Sequence, residues 1–246
     1  MRKVSDVLVR AESLADICAR TDDVSGVLRD VGFCIIRGVF PPGAVTADYE
    51  RYRAAFAAAN DIRRSGRIVR AMKNFQRLDC GDYAQVNARF CRTIVGFFWN
   101  APTPFTPYFA GLQRLRDAIG GRRIAYENGC YEMAGRPYFE LPKILQYPRG
   151  GGFLNSHYDG YNNDGVFNIG MSVTQKGRDF ESGGIFYKYR DGEESPIEDI
   201  LEPGDIYVHD EQAEHGVHAI DADVPLDLES FAGRVSLILS SEVFAA

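Results

Sequence analysis

From about Arg122 onward the chain repeats one texture: short apolar or alternating runs, cut apart by glycine-rich turns. This constrains the fold more than any other feature. Successive residues on a strand alternate between faces, and runs this short suit strands better than buried helices. The runs fall at Leu141–Tyr147, Phe153–Tyr158, Val166–Thr174, Gly184–Tyr189, Asp205–Val208, Gly216–Ile220 and Arg234–Leu239. Many short strands at such spacing predict a sandwich or a barrel.

The first half reads differently. From Val4 to about Asp30, apolar residues recur at three- and four-residue steps (Val4, Val7, Leu8; Leu14, Ile17, Cys18), which predicts helix. Gly32–Phe40 reads as a short buried strand closed by the turn Pro41-Pro42-Gly43. Ala44–Ala59 and Leu112–Ile119 read as helices. Phe97–Tyr108, aromatic, proline-rich and holding Trp99, reads as a loop packed over core or pocket. The simplest architecture is mainly β with helical N-terminal support, in a single domain over 1–246. About 1–120 would be helical support and substrate cover, and about 121–246 a double-sheet jelly roll, because one sheet needs its outer face covered.

Composition narrows the functional classes. A net charge of −6 opposes a general nucleic-acid binder, which shows a basic face. Arg63, Arg64, Arg67, Arg70 and Lys73, at helical spacing, read as a solvated face. The five cysteines are odd in number and never spaced C-x-x-C, so reduced thiols are expected rather than disulfides or zinc fingers. Charges interrupt every apolar run of Met1–Arg20, and no stretch is long enough for a membrane span. A soluble, cytoplasmic protein with a small-molecule partner is expected, with no nucleic acid and no membrane. Nothing in the sequence sets its oligomeric state.

Three motifs carry chemistry. In Asn155-Ser156-His157-Tyr158-Asp159, His157 and Asp159 are two apart, so an extended strand presents them on one face, about 7 Å apart at the backbone. A third ligand from a facing strand would make a facial triad with open positions, which suits iron(II) and dioxygen. Alone, H-x-D is as readily a surface pair. The second motif is Glu214-His215-Gly216-Val217-His218. Its histidines are three apart and face opposite ways on a strand, so only one can enter a site. The third, Gly233-Arg234-Val235-Ser236, puts a guanidinium fork and a hydroxyl on one face, a grip for a terminal carboxylate. Standing alone, Arg234 would be a surface residue in an ion pair. His209 reads as a strand-end or surface histidine.

In the order Tyr147, His157-x-Asp159, Gly183-Gly184, His215-Gly-Val, Arg234-x-Ser236, the sequence resembles the iron(II)/2-oxoglutarate-dependent oxygenases. That superfamily is built on a double-stranded β-helix, a cupin-like jelly roll. The resemblance covers about Leu141–Ser240, and Gly32–Phe40 looks like the strand that often precedes this core. It implies that His157, Asp159 and His215 form the catalytic metal triad, and that Arg234 and Ser236 bind the distal carboxylate of 2-oxoglutarate. Tyr147, which alone would pass for a half-buried core tyrosine, and Asn168 match positions near the cosubstrate. His215 is preferred over His218 because Gly216-Val217 follows it, with Val217 and Ala219 then sharing its inward face; Ile220 would accompany His218 instead. The acidic insert Asp221–Ser230 departs from the pattern and is expected to bulge near the site mouth.

The implied activity uses iron(II), 2-oxoglutarate and dioxygen, releases succinate and carbon dioxide, and hydroxylates a small polar molecule such as an amino acid or a natural-product intermediate. The intact Asp159 points to hydroxylation rather than halogenation. Desaturation or cyclisation with the same cofactors is an alternative. Another is a 2-oxoglutarate-independent cupin-type metalloenzyme, whose sites more often use three histidines and a carboxylate. A non-catalytic jelly-roll binding module is a third class. Arg70, Lys73, Asn74, Phe98, Trp99 and Glu140 are candidates to line the substrate pocket.

Overall fold

The N-terminal segment opens as a strand, not as the predicted helix. Val7 and Val9 are buried while Arg10 is exposed, a two-residue period, and β1 (Leu8–Arg10) follows it. Helix begins only at Ser13, whose hydroxyl oxygen accepts the Asp16 N–H at 3.1 Å and caps α1 (Leu14–Ala19). After a break at Arg20 come α2 (Thr21–Val31) and β2 (Phe33–Arg37), then α3 (Pro42–Arg63), β3 (Phe75–Leu78), β4 (Arg89–Val95), α4 (Thr106–Ile119) and β5 (Cys130–Met133). The second half supplies β6 (Arg136–Pro148), β7 (Gly152–His157), β8 (Asn168–Ser172), β9 (Gly184–Lys188), β10 (Glu194–Ser195), β11 (Ile206–His209), β12 (His215–Ile220) and β13 (Gly233–Val243). The computed structural model describes residues 6–63, 75–78, 89–95, 103–121, 130–133, 136–159, 168–210, 212–228 and 230–243. Arg70, Lys73, Asn74, Phe98 and Trp99 lie outside these residues.

Two sheets face each other. The first runs β1-β2-β11-β8-β13-β6, the second β7-β12-β9-β10. β4 joins them: Arg92–Val95 pair with β6, and Arg89 and Phe90 pair with β7. The result is one curled sheet, in keeping with the jelly roll that the strand pattern predicts and the double-stranded β-helix that the resemblance implies. The first half of the chain therefore contributes β1, β2 and β4 as well as helices.

Alternation along the strands sorts side chains into two apolar layers. On β13, Val235, Leu237 and Leu239 point outward and pack with Ile144 and Ile169 under helical residues such as Ile17, Val24, Leu112 and Leu115. Inside the roll, Tyr147, Ile185, Tyr187, Tyr207, Val217 and Ile220 form the second layer. Each fully buried aliphatic or aromatic side chain contributes about 1.5–3 kcal/mol. No helix among the described residues is long and apolar enough to cross a membrane.

Two local expectations change. Register shifts in β12 between His215, Val217 and Ile220 interrupt the alternation, so Ile220 is buried while Ala219, expected inward, is exposed. The Asp221–Ser230 segment, expected near the site mouth, starts at the end of β12 away from His215. It leaves β12 at Ile220, which pairs with Gly152, whereas His215 pairs with His157 at the other end. It is also tied down: the buried Asp221 carboxylate accepts the Glu181 and Ser182 N–H groups at 2.8 Å and Arg149 Nε at 2.6 Å. The turn Pro203-Gly204-Asp205 is fixed in the same way, by Arg37 Nε donating to Asp205 Oδ1 at 3.0 Å.

Gly233 sets the entry of β13. Its φ is +115°, and a Cβ there would stand 2.2 Å from the Tyr147 carbonyl oxygen. Gly233→Ala is therefore expected to cost about 1–3 kcal/mol in chemical denaturation, through backbone strain at the strand pair that places Arg234; an unchanged midpoint would show that this approach is not constrained.

Candidate metal centre

The register sets the site before any side chain is considered. His157, the last residue of β7, lies directly opposite His215, the first residue of β12. On the other sheet, Asn168 of β8 lies directly opposite His209 of β11. Asp159 stands two residues beyond the end of β7, not on the strand as its spacing predicts. It nonetheless meets both pairs. Its Oδ1 is 3.3 Å from His157 Nε2, while Oδ2 is 3.0 Å from His209 Nε2 and accepts Asn168 Nδ2 at 2.6 Å.

The donor atoms of His157, Asp159 and His215 all lie within 4.8 Å of one another, a spacing at which one ion could be held. Both imidazoles are oriented for it. His157 Nδ1 faces the Asn155 carbonyl at 3.0 Å and His215 Nδ1 faces the Ala213 carbonyl at 3.0 Å. A carbonyl only accepts, so each Nδ1 carries the proton and each Nε2 presents its lone pair to the site. Burial pushes the His215 imidazole down to about 3, with the neighbouring His209 adding to the effect, which keeps it neutral. Burial pushes the Asp159 carboxyl up, but the imidazoles of His157 and His209 beside it outweigh that and hold the group well below the usual carboxylate range. Neutral imidazoles and an ionised carboxylate are the states that bind a divalent metal.

His218 takes no part. It is exposed, stacks on Phe186 with ring centroids 4.3 Å apart, and has Nε2 2.7 Å from Glu194 Oε1. His209 does end a strand, β11, as expected, but it is buried rather than on the surface and belongs to the site. Its ring lies 4.4 Å from that of His215. Asn168, expected near a cosubstrate, lines the cavity inside the roll and donates to Asp159, with its buried Oδ1 unpartnered among the described residues.

The histidines open on a cavity of about 450 Å³ inside the roll, with Tyr147, Arg234 and Ser236 in its lining. A larger groove of about 590 Å³ outside the roll contains none of the histidines. Arg234 is fully buried. Its Nε donates to Glu198 Oε2 at 2.6 Å and Nη1 to Ser236 Oγ at 3.3 Å, while Nη2 is buried without a partner. Burial opposes its charge and the Glu198 carboxylate more than offsets that, raising its pKa. The Tyr147 ring lies 5.8 Å from the Arg234 guanidinium carbon, its residue opposite Arg234 across β6 and β13. Glu198 reaches this position because residue 184 is glycine; a Cβ there would stand 2.2 Å from Glu198 Cγ.

Sequence reasoning missed Glu198, Tyr187, Arg89, Lys143 and the placement of His209. Arg89 lines the cavity with Nε buried and unpartnered. The missed signals were weak: Tyr207 and His209 share a strand face two residues apart, whereas Glu198 sits in an acidic stretch that reads as solvated. Glu140 lies on β6 opposite Ser241.

No family model and no curated protein matches the sequence. Solved structures do. The chain shares its fold with two prolyl hydroxylases and an alpha ketoglutarate dependent epimerase. A Pseudomonas putida prolyl-4-hydroxylase aligns over 89% of this chain and 96% of its own, at 17% identity and a TM-score of 0.54. A Trichoplax adhaerens prolyl hydroxylase, in complex with a hypoxia inducible factor peptide fragment, aligns over 97% and 93%, at 14% identity and 0.57. The epimerase SnoN of nogalamycin biosynthesis, in complex with Fe3+ and alpha ketoglutarate, aligns over 90% and 83%, at 11% identity and 0.54. Within this fold, the Arg234–Glu198 pair is a structural commitment of its own. Glu198→Ala should lower stability by about 3–5 kcal/mol in denaturant titration, because it leaves Arg234 charged and unpaired in the interior; a loss under about 1 kcal/mol would mean water or another group replaces the carboxylate.

Proposed function

We propose that this chain is an iron(II)/2-oxoglutarate-dependent dioxygenase that hydroxylates a small polar molecule, such as an amino acid or a natural-product intermediate. One observation carries the proposal: a single cavity pairs the convergent His157, Asp159 and His215 donors with the buried, unsatisfied Arg234 Nη2. Two imidazoles and a carboxylate with open positions suit iron(II). Bound together, iron(II), 2-oxoglutarate and dioxygen supply the oxidising chemistry, with succinate and carbon dioxide as co-products.

The chain's own part is positional. The Asn155 and Ala213 carbonyls fix the ring orientation of His157 and His215. Arg234 Nη2, Ser236 Oγ and the Tyr147 hydroxyl are the groups that would receive the distal carboxylate of 2-oxoglutarate, by charge-assisted hydrogen bonds. The charge of Arg234 is already matched by Glu198, so Arg89, on the same cavity wall and without an ion pair among the described residues, supplies the positive charge a dianion requires. Leu145, Ile185, Val217 and Ile238 keep the walls apolar and exclude water from the reacting centre. A space of about 450 Å³ must take cosubstrate and the reacting part of the substrate, which favours a small molecule.

The deciding assay supplies the purified chain with iron(II), 2-oxoglutarate and a panel of free amino acids, and follows succinate. Succinate should rise with a matching substrate. His215→Ala should reduce turnover to background and His218→Ala leave most of it. Arg234→Ala should weaken 2-oxoglutarate binding by roughly 10- to 100-fold, the loss of one charged hydrogen bond at about 1.5–3 kcal/mol. Iron-dependent turnover without 2-oxoglutarate would overturn the proposal. It would favour the cupin-type alternative, which one observation supports: with His209, three histidines and one carboxylate surround the cavity.

A further inference from the structure

Three histidines face the cavity, and only two are built alike. His157 and His215 each turn Nδ1 to a backbone carbonyl. His209 does not. Its Nδ1 meets the Tyr187 hydroxyl at 2.8 Å, and its Nε2 lies 3.0 Å from Asp159 Oδ2. A hydroxyl can donate as well as accept, so the tautomer of His209 follows from what lies on its far side.

One assignment satisfies every group. A carboxylate only accepts, so the proton sits on His209 Nε2 and donates to Asp159 Oδ2. The neutral ring then presents Nδ1 as an acceptor, and the Tyr187 O–H donates to it. The other assignment turns Nε2 over to a metal and puts the proton on Nδ1, which then donates to the Tyr187 oxygen. The Tyr187 hydrogen would be left without an acceptor, since its one hydrogen-bond partner among the described residues is His209. That side chain is fully buried, and an orphaned hydroxyl there is unfavourable. The carboxylate geometry agrees. Asn168 Nδ2 donates to the same Oδ2 at 2.6 Å, so both donors engage one oxygen; Oδ1 faces His157 Nε2 at 3.3 Å, and Oδ2 stands 3.5 Å from His215 Nε2.

We propose that His209 is a positioning residue rather than a metal ligand: it clamps Asp159 Oδ2, with Tyr187 setting its tautomer, so that Asp159 offers Oδ1 to the ion. This rests on the proposed metal centre. Asn168 and His209, opposite each other on β8 and β11, form a two-donor clamp from one sheet on a carboxylate that leaves the other. The His209 ring, 4.4 Å from that of His215, braces a second ligand.

Cobalt(II), which reports its ligand set in visible absorption, is the probe, with affinity measured by titration calorimetry on the full chain. His209→Ala should weaken cobalt binding by roughly 10- to 100-fold, as loss of an outer hydrogen-bond partner of a metal ligand does. His209→Gln, which restores an N–H donor, should recover most of it. Tyr187→Phe, close to isosteric, should weaken binding by a smaller factor and carries the test if His209→Ala does not fold. At saturating cobalt all three variants should keep the band positions and intensities of the unsubstituted chain. Changed bands in His209→Ala, signalling a lost nitrogen ligand, or unchanged affinity in His209→Ala or Tyr187→Phe would overturn this inference alone. An unsubstituted chain that binds no cobalt would overturn the metal-centre proposal with it.

Discussion

Strand β13 is where fold and site are held to the same constraint. It pairs with β6 at every position from Gly233↔Pro148 to Val243↔Tyr138, and with β8 from Ser236↔Ser172 to Leu239↔Ile169. Its outward residues, Val235, Leu237 and Leu239, anchor the helices. Its inward residues, Arg234, Ser236, Ile238 and Ser240, line the cavity. Because the side-chain period is two, a slip of one residue would exchange the sets. A charged guanidinium would then face the apolar layer under the helices, and leucines would fill the cavity. The cost of that exchange fixes the register, and the register places Arg234 opposite Tyr147.

Electrostatics complete what register begins. At the closed end, Arg234 and Glu198 cancel each other's charge inside the roll. At the histidine end, Asp159 links a pair from each sheet through its two oxygens. The cavity thus runs from a charge-matched floor to a single carboxylate among imidazoles. At one end Glu198 pairs with Arg234, and at the other Asp159 accepts hydrogen bonds from His209 and Asn168, as the low dielectric of an interior demands.

Much of this was legible in sequence because glycine turns and period-two alternation are local signals. The seven strands read from the second half all appear, with ends shifted by a few residues. His157, His215, Arg234, Ser236 and Tyr147 come to one cavity because each sits on a strand whose inward face can be counted. What could not be read was long-range or masked by uniform burial. All four residues of β11 are buried, so no alternation marked His209 as inward facing. The partner that defines it, Tyr187, is remote in sequence. Glu198 looked like one more acid in a charged stretch, and only the absence of a side chain at Gly184 admits it to the interior. At the N-terminus, Val7 fits a helical count with Val4 and Leu8 as well as a strand count with Val9, and pairing with β2 decided for the strand.

The way the curled sheet ends bears on how the protein behaves in a crowded solution. β4 bonds to both β6 and β7, so two edges that would otherwise lie open are covered. Along the main path, the sheet terminates in β1, three residues long, and β10, the two residues Glu194 and Ser195. Glu194 faces His218 across that end. A short, charged edge offers too few aligned backbone groups for a second chain to extend by strand addition. Burying the long strands in the middle of the path and leaving these stubs at its ends gives the roll resistance to edge-to-edge aggregation.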